Sequence, residues 1–166
     1  MARLKKEEEE EKMPTYAEKV RMLMENGRFH EAREELEEAL GLPPDIIVST
    51  RSTLFALKGW HVYVTGGEKT DHAALRYGEM SLELDPGELL AKLLVEQVRD
   101  HHHGPDELMG PKEREVSFYT AAMQENTASR REHPQSEELK RSFAQLEHRH
   151  ADVAATLPPL PIAHRH

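Results

Sequence analysis

Apolar side chains recur every three or four residues along most of this chain, which is the spacing of one face of an α-helix. The first such segment follows Thr15, and Glu18 stands three residues further on, as in a capping box. Asn26-Gly27 should end this helix, because both residues tolerate the left-handed conformation of a chain reversal. The predicted apolar face consists of Tyr16, Val20, Leu23 and Met24.

A second helix is predicted from about Phe29 to Leu40, with a glutamate-rich outer face. Gly41 and the pair Pro43-Pro44 should stop it, so the first two helices form a helical hairpin. The predicted inward face comprises Phe29, Ala32, Leu36, Ala39 and Leu40.

The segment 45–65 is the most apolar of the chain, and its β-branched residues make a strand a fair alternative to a helix. We predict a helix from about Thr50, because the run is longer than a normal strand. Gly66-Gly67 should end it. A further helix is predicted from about Asp71 to Leu84, carrying Ala73, Ala74, Tyr77, Met80, Leu82 and Leu84.

The motif Asp85-Pro86-Gly87-Glu88 combines a capping residue, a proline at the first helical position and a capping-box glutamate. It therefore predicts the start of a helix, which should end near His102, before Gly104-Pro105. The inward positions of this helix are Leu89, Leu90, Leu93, Leu94 and Val98.

Two weaker helical segments follow, from Lys112 to about Asn126 and from Ser136 to about Leu157. The second has an apolar stripe that could pack on a neighbouring helix, formed by Leu139, Phe143, Leu146, His150 and Val153. The predicted fold is all-α. We divide the chain into an acidic disordered or frayed tail (1–13), helical hairpins (14–103), C-terminal helices (104–157) and a flexible tail (158–166).

Charge and composition narrow the classes of partner. The chain has 166 residues and a formal net charge of -9, which disfavours nucleic acid and anionic lipid as partners. Cysteine is absent, and no stretch approaches the ~20 apolar residues that span a bilayer. The charged segment from Met1 to Lys12 is unlike a signal peptide, so we expect a cytoplasmic protein.

The sequence carries little that indicates catalysis or metal binding. His101-His102-His103 and the pair His148 and His150 lack the spacing of three or four that two ligands on one helix usually have. No nucleophile motif or phosphate-binding glycine loop is present. We therefore predict no catalytic residue, no metal site and no cofactor, and we expect that the protein is not an enzyme.

Both predicted hairpins resemble the tetratricopeptide repeat (TPR), a helical hairpin of about 34 residues closed by a proline. The loop at Gly66-Gly67-Glu68 is about two residues longer than the pattern, and Pro86 comes about one residue late. In the first hairpin the matching positions are Tyr16, Leu23, Ala32, Leu36, Ala39 and Pro44. In the second they are Phe55, Gly59, Val62, Ala73, Tyr77 and Pro86.

Within that superfamily, Gly59-Trp60, Gly66-Gly67 and Leu84-Asp85-Pro86 are similar to motifs of the interferon-induced proteins with tetratricopeptide repeats. The segment from Gly27 to Ala32 also resembles them. The resemblance covers roughly residues 20 to 90. Members of that family bind RNA in a basic tunnel built from many more repeats, so this likeness implies RNA binding as an alternative function.

The TPR resemblance implies that the first helix of each hairpin lines a concave groove that holds a peptide or partner segment. The groove positions would be Ala17, Arg21, Met24, Ala56, Trp60, Tyr63 and Gln97. Trp60 and Tyr63 lie in an apolar helix and could instead belong to the core. The leading interpretation is a protein-binding scaffold or adaptor. An acidic helical inhibitor that mimics nucleic acid is a further alternative, because the second helix is rich in glutamate.

Overall fold

A computed structural model describes residues 16–41, 48–103 and 110–157. These ranges contain α-helices and one short 3-10 helix, and no strand occurs in them, which confirms the predicted all-α class. The helices are α1 (16–25), α2 (Phe29–Leu40), α3 (Val48–Gly66), α4 (Asp71–Leu84), α5 (Leu89–His103), α6 (Pro111–Glu132) and α7 (Glu137–Ala154).

Several predictions fall on parts of the chain that are not described. The two tails, the capping residue Thr15 and the stop signal Pro43-Pro44 all lie outside the described residues. The strand alternative for 45–65 is wrong over the described part of that segment, where α3 is helical from Val48. The predicted end of the sixth helix near Asn126 is also wrong, because α6 continues to Glu132.

The α1–α2 hairpin forms as the apolar pattern predicts. Gly27 has φ +77°, a conformation that favours glycine, and it reverses the chain between the two helices. The Gly27 amide donates to Met24 O at 3.0 Å and the Arg28 amide to Leu23 O at 2.8 Å, which pairs the last carbonyls of α1. The buried faces meet through Val20, Met24, Ala32, Leu36 and Ala39.

Helices α3 and α4 pack closely because small residues face each other. A Cβ atom added to Gly59 would lie 2.5 Å from Leu94 Cδ2 and 3.1 Å from Ala74 O. The hydroxyls of Ser52 and Ser81 each donate to the other residue's carbonyl, at 2.8 Å and 2.7 Å. The inward face of α4 is therefore small and polar. Ala73, which the repeat pattern placed at the crossing, is exposed, and Ala74 is buried instead.

The predicted helix cap at Asp85 is wrong. Pro86 and Gly87 form a turn, and α5 begins only at Leu89. Asp85 Oδ1 accepts a hydrogen bond from the Gly87 amide at 2.9 Å, which stabilises that turn. Glu88 does not reach back to the cap, because its carboxylate accepts from Thr53 Oγ1 at 2.9 Å.

The C-terminal hairpin α6–α7 belongs to the same core as the N-terminal helices. Helix α6 packs against α3 and α5, and its Phe118 ring lies 5.8 Å from the ring of Trp60. Ser136 caps α7 by accepting from the Leu139 amide at 3.2 Å. From the predicted α7 stripe, Leu146 and Val153 are buried, and the remaining three positions are half-buried.

A buried ion pair joins α6 to the α3–α4 junction. Arg114 is fully buried and donates to both carboxylate oxygens of Asp71, at 2.5 Å and 3.2 Å. It also donates to Tyr63 O at 3.0 Å, and its guanidinium carbon lies 4.4 Å from the centre of the Tyr63 ring. Bidentate pairing of this kind fixes geometry as well as charge, so Arg114 determines where α6 docks.

Candidate binding cleft

Four of the predicted groove residues lie in the core. Met24, Ala56 and Tyr63 are 0% exposed and Trp60 is 1% exposed. Helix α6 covers two of them, because it packs on α3 and α5, with Phe118 beside Trp60 and Arg114 donating to Tyr63 O. Trp60 Nε1 donates to Leu90 O at 2.9 Å, so even its polar atom is paired internally. The expected open groove lined by these four side chains is therefore not present, and their burial gives them a packing role.

The other predicted positions lie at the border of this covered region. Ala17 is buried at the edge of the core. Gln97 donates to the Tyr63 hydroxyl at 3.3 Å. Arg21 is half-buried and forms an ion pair with Glu125 of α6, in which Nη2 donates to Oε2 at 3.3 Å. The pair closes the surface between α1 and α6 and leaves an opening on each side of it.

Two clefts flank the Arg21–Glu125 pair. The Glu25 cleft, between α1, α6 and α7, has a volume of about 310 Å³ and is lined by Ala17, Glu18, Arg21, Met22, Glu25, Ala122, Asn126, Ser129, Glu138, Leu139 and Ser142. The Glu88 cleft, on the other side, has a volume of about 320 Å³ and is lined by Arg21, Thr53, Gly87, Glu88, Leu89, Glu125, Ala128, Ser129 and Glu132.

Negative charge is in excess in both clefts. Among the described residues that line them, Arg21 is the only lysine or arginine, and Glu125 already pairs with it. The other carboxylates come from three helices and from the turn before α5, so the fold gathers them from distant parts of the chain. They are Glu18, Glu25, Glu88, Glu132 and Glu138.

Glu25 is the most unusual of these carboxylates. It is 8% exposed, and it makes no hydrogen bond or ion pair within the described part of the chain. The pKa of Glu25 is raised to about 7, chiefly by burial and to a smaller extent by the charge of Glu125, while Arg21 acts to lower it. Buried carboxylates are normally paired, so this one stands ready to accept a donor from outside.

Asn126 provides a second unpaired acceptor in the wall of the Glu25 cleft. It is 6% exposed, and its Nδ2 donates to Leu139 O at 3.0 Å. A carbonyl can only accept, so this contact fixes the orientation of the amide and leaves Oδ1 as the free end. Oδ1 has no hydrogen-bond partner among the described residues, and it is enclosed in the wall, where solvent does not reach it.

Glu88 is better satisfied than Glu25. Burial raises its pKa, while the hydrogen bond from Thr53 lowers it. In the Glu88 cleft, Glu88 is therefore engaged by Thr53 and Glu125 by Arg21, and Glu132 is exposed.

The sequence contains one indication of this site that the predicted groove positions did not include. Glu25 follows Arg21 by four residues and so lies on the same face of α1 as the predicted groove position. Asn126 had no such signal, because it comes from a helix that the repeat pattern does not include. Only the docking of α6 and α7 onto α1 brings the two residues into one cleft.

Other kinds of site are not supported in the described ranges. No group of three or more histidine, aspartate or glutamate side chains there is arranged to hold a metal ion. His148 is exposed and lies 3.4 Å from Asp152, and the side chains of His101 to His103 are outside the described set. None of the described helices is both long enough and apolar enough to cross a membrane.

Comparisons of the chain with models of protein families, with curated proteins and with solved structures gave no match. The resemblance to tetratricopeptide repeats therefore rests on the sequence pattern alone.

Proposed function

We propose that the protein is an adaptor that binds a positively charged segment of a partner protein in the Glu25 cleft. In this proposal α1–α2 and α3–α4 are two TPR-like hairpins, and the α6–α7 hairpin covers most of their inner side. The single observation that carries the proposal is Glu25, which is 8% exposed and whose carboxylate, in the wall of an acidic cleft, has no hydrogen-bond or ion-pair partner among the described residues. A partner that brings N–H donors would satisfy it.

The charge of the cleft supports a basic partner over a nucleic acid. Glu18 and Glu138 flank the opening and are both exposed, so their field reaches an approaching ligand. A phosphate backbone would meet this field with like charge. The RNA-binding alternative therefore has no support from the lining of either cleft.

The alternative of an acidic inhibitor that mimics nucleic acid has one observation in its favour. The exposed face of α2 carries Glu31, Glu34, Glu37 and Glu38, which could contact a basic surface without using the cleft. The two proposals place binding on different faces, the Glu25 cleft and the exposed face of α2. Substitutions on each face therefore distinguish the adaptor from the inhibitor.

A selection from a random peptide library against the immobilised full chain tests the proposed function. We expect enrichment of arginine- and lysine-containing peptides. The variant Glu18→Lys, Glu138→Lys should weaken the selected peptides by about tenfold, equivalent to about 1.4 kcal/mol, because it reverses the charge at the cleft. Fluorescence anisotropy with labelled peptides measures the change.

The matched control is Glu79→Lys, Glu83→Lys on the exposed face of α4, which changes the net charge equally but away from the clefts. Affinity should remain within about twofold in this control. Equal weakening by both variants would show that only the overall charge matters and would refute the cleft. Loss of binding only in Glu34→Lys, Glu37→Lys would instead favour the inhibitor alternative.

A further inference from the structure

The Glu25 cleft combines carboxylates, serine hydroxyls and an apolar wall, and the one cation among its described lining residues is engaged elsewhere. Arg21 is the nearest cation in the lining, but it pairs with Glu125 on the opposite side. Glu25 of α1 thus presents a carboxylate to the cleft without a hydrogen-bond or ion-pair partner among the described residues, whereas the unpaired Asn126 Oδ1 is enclosed in the wall. A ligand that donates N–H groups would satisfy this carboxylate.

A guanidinium group fits this description better than an ammonium group. It is planar, carries five donors in a fixed fork and has no acceptor, whereas an ammonium is a compact, strongly hydrated point charge. The fork can donate to both oxygens of one carboxylate at once, as the Glu25 carboxylate would allow. Ser129 and Ser142 add hydroxyls to the same lining.

The cleft also has an apolar surface for the aliphatic stem of an arginine side chain. Met22 lines it and is 63% exposed, the one large hydrophobic side chain found exposed among the described residues. Ala122 and Leu139 continue this surface inward. Arginine buries its methylene groups against such surface while its head group forms hydrogen bonds. This accounts for an exposed methionine beside an acidic opening.

We propose that the Glu25 cleft is an arginine-recognition subsite, in which the Glu25 carboxylate accepts from the guanidinium of one arginine of the partner segment. The inference rests on the proposed function and names the side chain that the cleft recognises. Arg21 is a positioning residue here, because its pairing with Glu125 keeps it from occupying the subsite itself.

The pH dependence of binding gives a readout that a purely structural role of Glu25 would not produce. Burial holds the pKa of Glu25 near 7, and a bound guanidinium requires the ionised carboxylate. Protons therefore compete with the ligand. Between pH 6 and pH 8 the ionised fraction of Glu25 rises about tenfold, so affinity should rise by about the same factor.

The other charged groups facing Glu25 are Glu18 and Arg21 from α1, Glu125 from α6 and Glu138 from α7. The variant Glu25→Gln leaves all of them in place.

The test uses a small probe, so it does not depend on finding a natural partner. We would titrate N-acetyl-argininamide into the isotope-labelled full chain and follow backbone amides and the Asn126 side-chain amide by NMR. N-acetyl-lysinamide is the control for charge, and N-acetyl-citrullinamide has the same shape without charge. We expect shifts at Glu25 and Asn126, an affinity at least about fivefold higher for the arginine probe than for the lysine probe, and no binding of the citrulline probe.

Glu25→Gln should weaken the arginine probe by about tenfold and abolish the pH dependence, whereas Glu18→Gln at the edge of the same cleft should change affinity by no more than about twofold. Equal affinity for the arginine and lysine probes, or a flat pH profile in the wild type, would overturn the subsite.

The subsite and the proposed function fail in different ways. If the library selection yields basic peptides but Glu25→Gln binds them unchanged, the subsite is wrong and the adaptor proposal remains. If the arginine probe binds as described but no peptide is selected, the subsite stands and the adaptor proposal is wrong. Circular dichroism confirms that each variant is helical before it is titrated.

Discussion

At the scale of single residues, Glu25 shows how a candidate binding group can oppose stability. Most of its side chain is buried, which disfavours the charged form of its carboxylate in the folded state. The unfolded chain solvates the same carboxylate freely. Ionisation of Glu25 therefore destabilises the folded state relative to the unfolded state. This lowers the free energy of unfolding whenever the solution pH favours the charged form.

Replacing Glu25 by glutamine should stabilise the protein at alkaline pH. The pKa of Glu25 is about 7 when folded against an ordinary value of 4.5, so the folded state holds the proton more tightly. Stability from this group is full below about pH 4.5 and is lost as the pH rises through 7. Relative to the wild type, Glu25→Gln should therefore raise the free energy of unfolding by at most about 3 kcal/mol at pH 8 and by little at pH 5.

Urea denaturation of the wild type and Glu25→Gln at both pH values measures this difference. Other titrating groups occur in both proteins, so the comparison between them isolates Glu25. Among these is His61, whose pKa burial lowers and which acts in the opposite direction. A variant that is less stable than the wild type at pH 8 would contradict the assigned burial cost.

At the scale of elements, the close packing of α3 on α4 and α5 depends on residues without bulk. Gly59 lies in the middle of α3, where glycine lowers helix propensity by about 1 kcal/mol relative to alanine. Glycine is nevertheless favoured at this position, because a Cβ atom there would overlap Leu94 and approach the backbone of Ala74. Gly78 on α4 has a similar environment, with Val95 at 2.9 Å.

Gly59→Ala should therefore destabilise the protein by about 1 to 3 kcal/mol in spite of the better helix propensity. Thermal unfolding followed by circular dichroism measures the effect. The matched control is Gly41→Ala at the end of α2, where a Cβ atom would make only ordinary contacts at 3.4 Å. This control should be neutral or slightly stabilising, and an equal loss in both variants would mean that packing at Gly59 is not the cause.

At the scale of the whole molecule, the docking of α6 decides which surface remains open. The Arg114–Asp71 pair holds α6 at its first turn, Phe118 packs on Trp60, and the Arg21–Glu125 pair closes the far end. The surface that a repeat array would offer to a ligand is thereby covered by the chain itself. What remains open is the acidic edge where α6 and α7 meet α1.

Arg114→Met should destabilise the protein by about 3 to 5 kcal/mol, because it leaves the Asp71 carboxylate buried and unpaired. The double variant Asp71→Leu, Arg114→Met should recover a large part of this loss, since neither charge then remains buried. Trp60, the only tryptophan of the chain, lies beside α6, so its fluorescence reports the docking during urea denaturation. A single variant as stable as the wild type would show that the pair does not anchor α6.

The sequence by itself determined the helices, because their apolar spacing is a local property. The inward faces of α1 and α2 follow from positions three and four residues apart, and the turn at Gly27 follows from glycine's tolerance of positive φ. The turn at Asp85 was not predictable from local sequence. The carboxylate of Glu88 accepts a hydrogen bond from Thr53, which lies 35 residues before Glu88 in the chain.

Only the tertiary structure decided which surfaces are core and which are open. Trp60 and Tyr63 have the same sequence pattern whether α6 covers them or a partner does, and the covering helix lies about 50 residues further along the chain. Glu25 and Asn126 are likewise separated in sequence and meet only after α6 and α7 dock. Local spacing specifies a helix and its faces, but a cleft needs contacts between distant segments, which spacing does not encode.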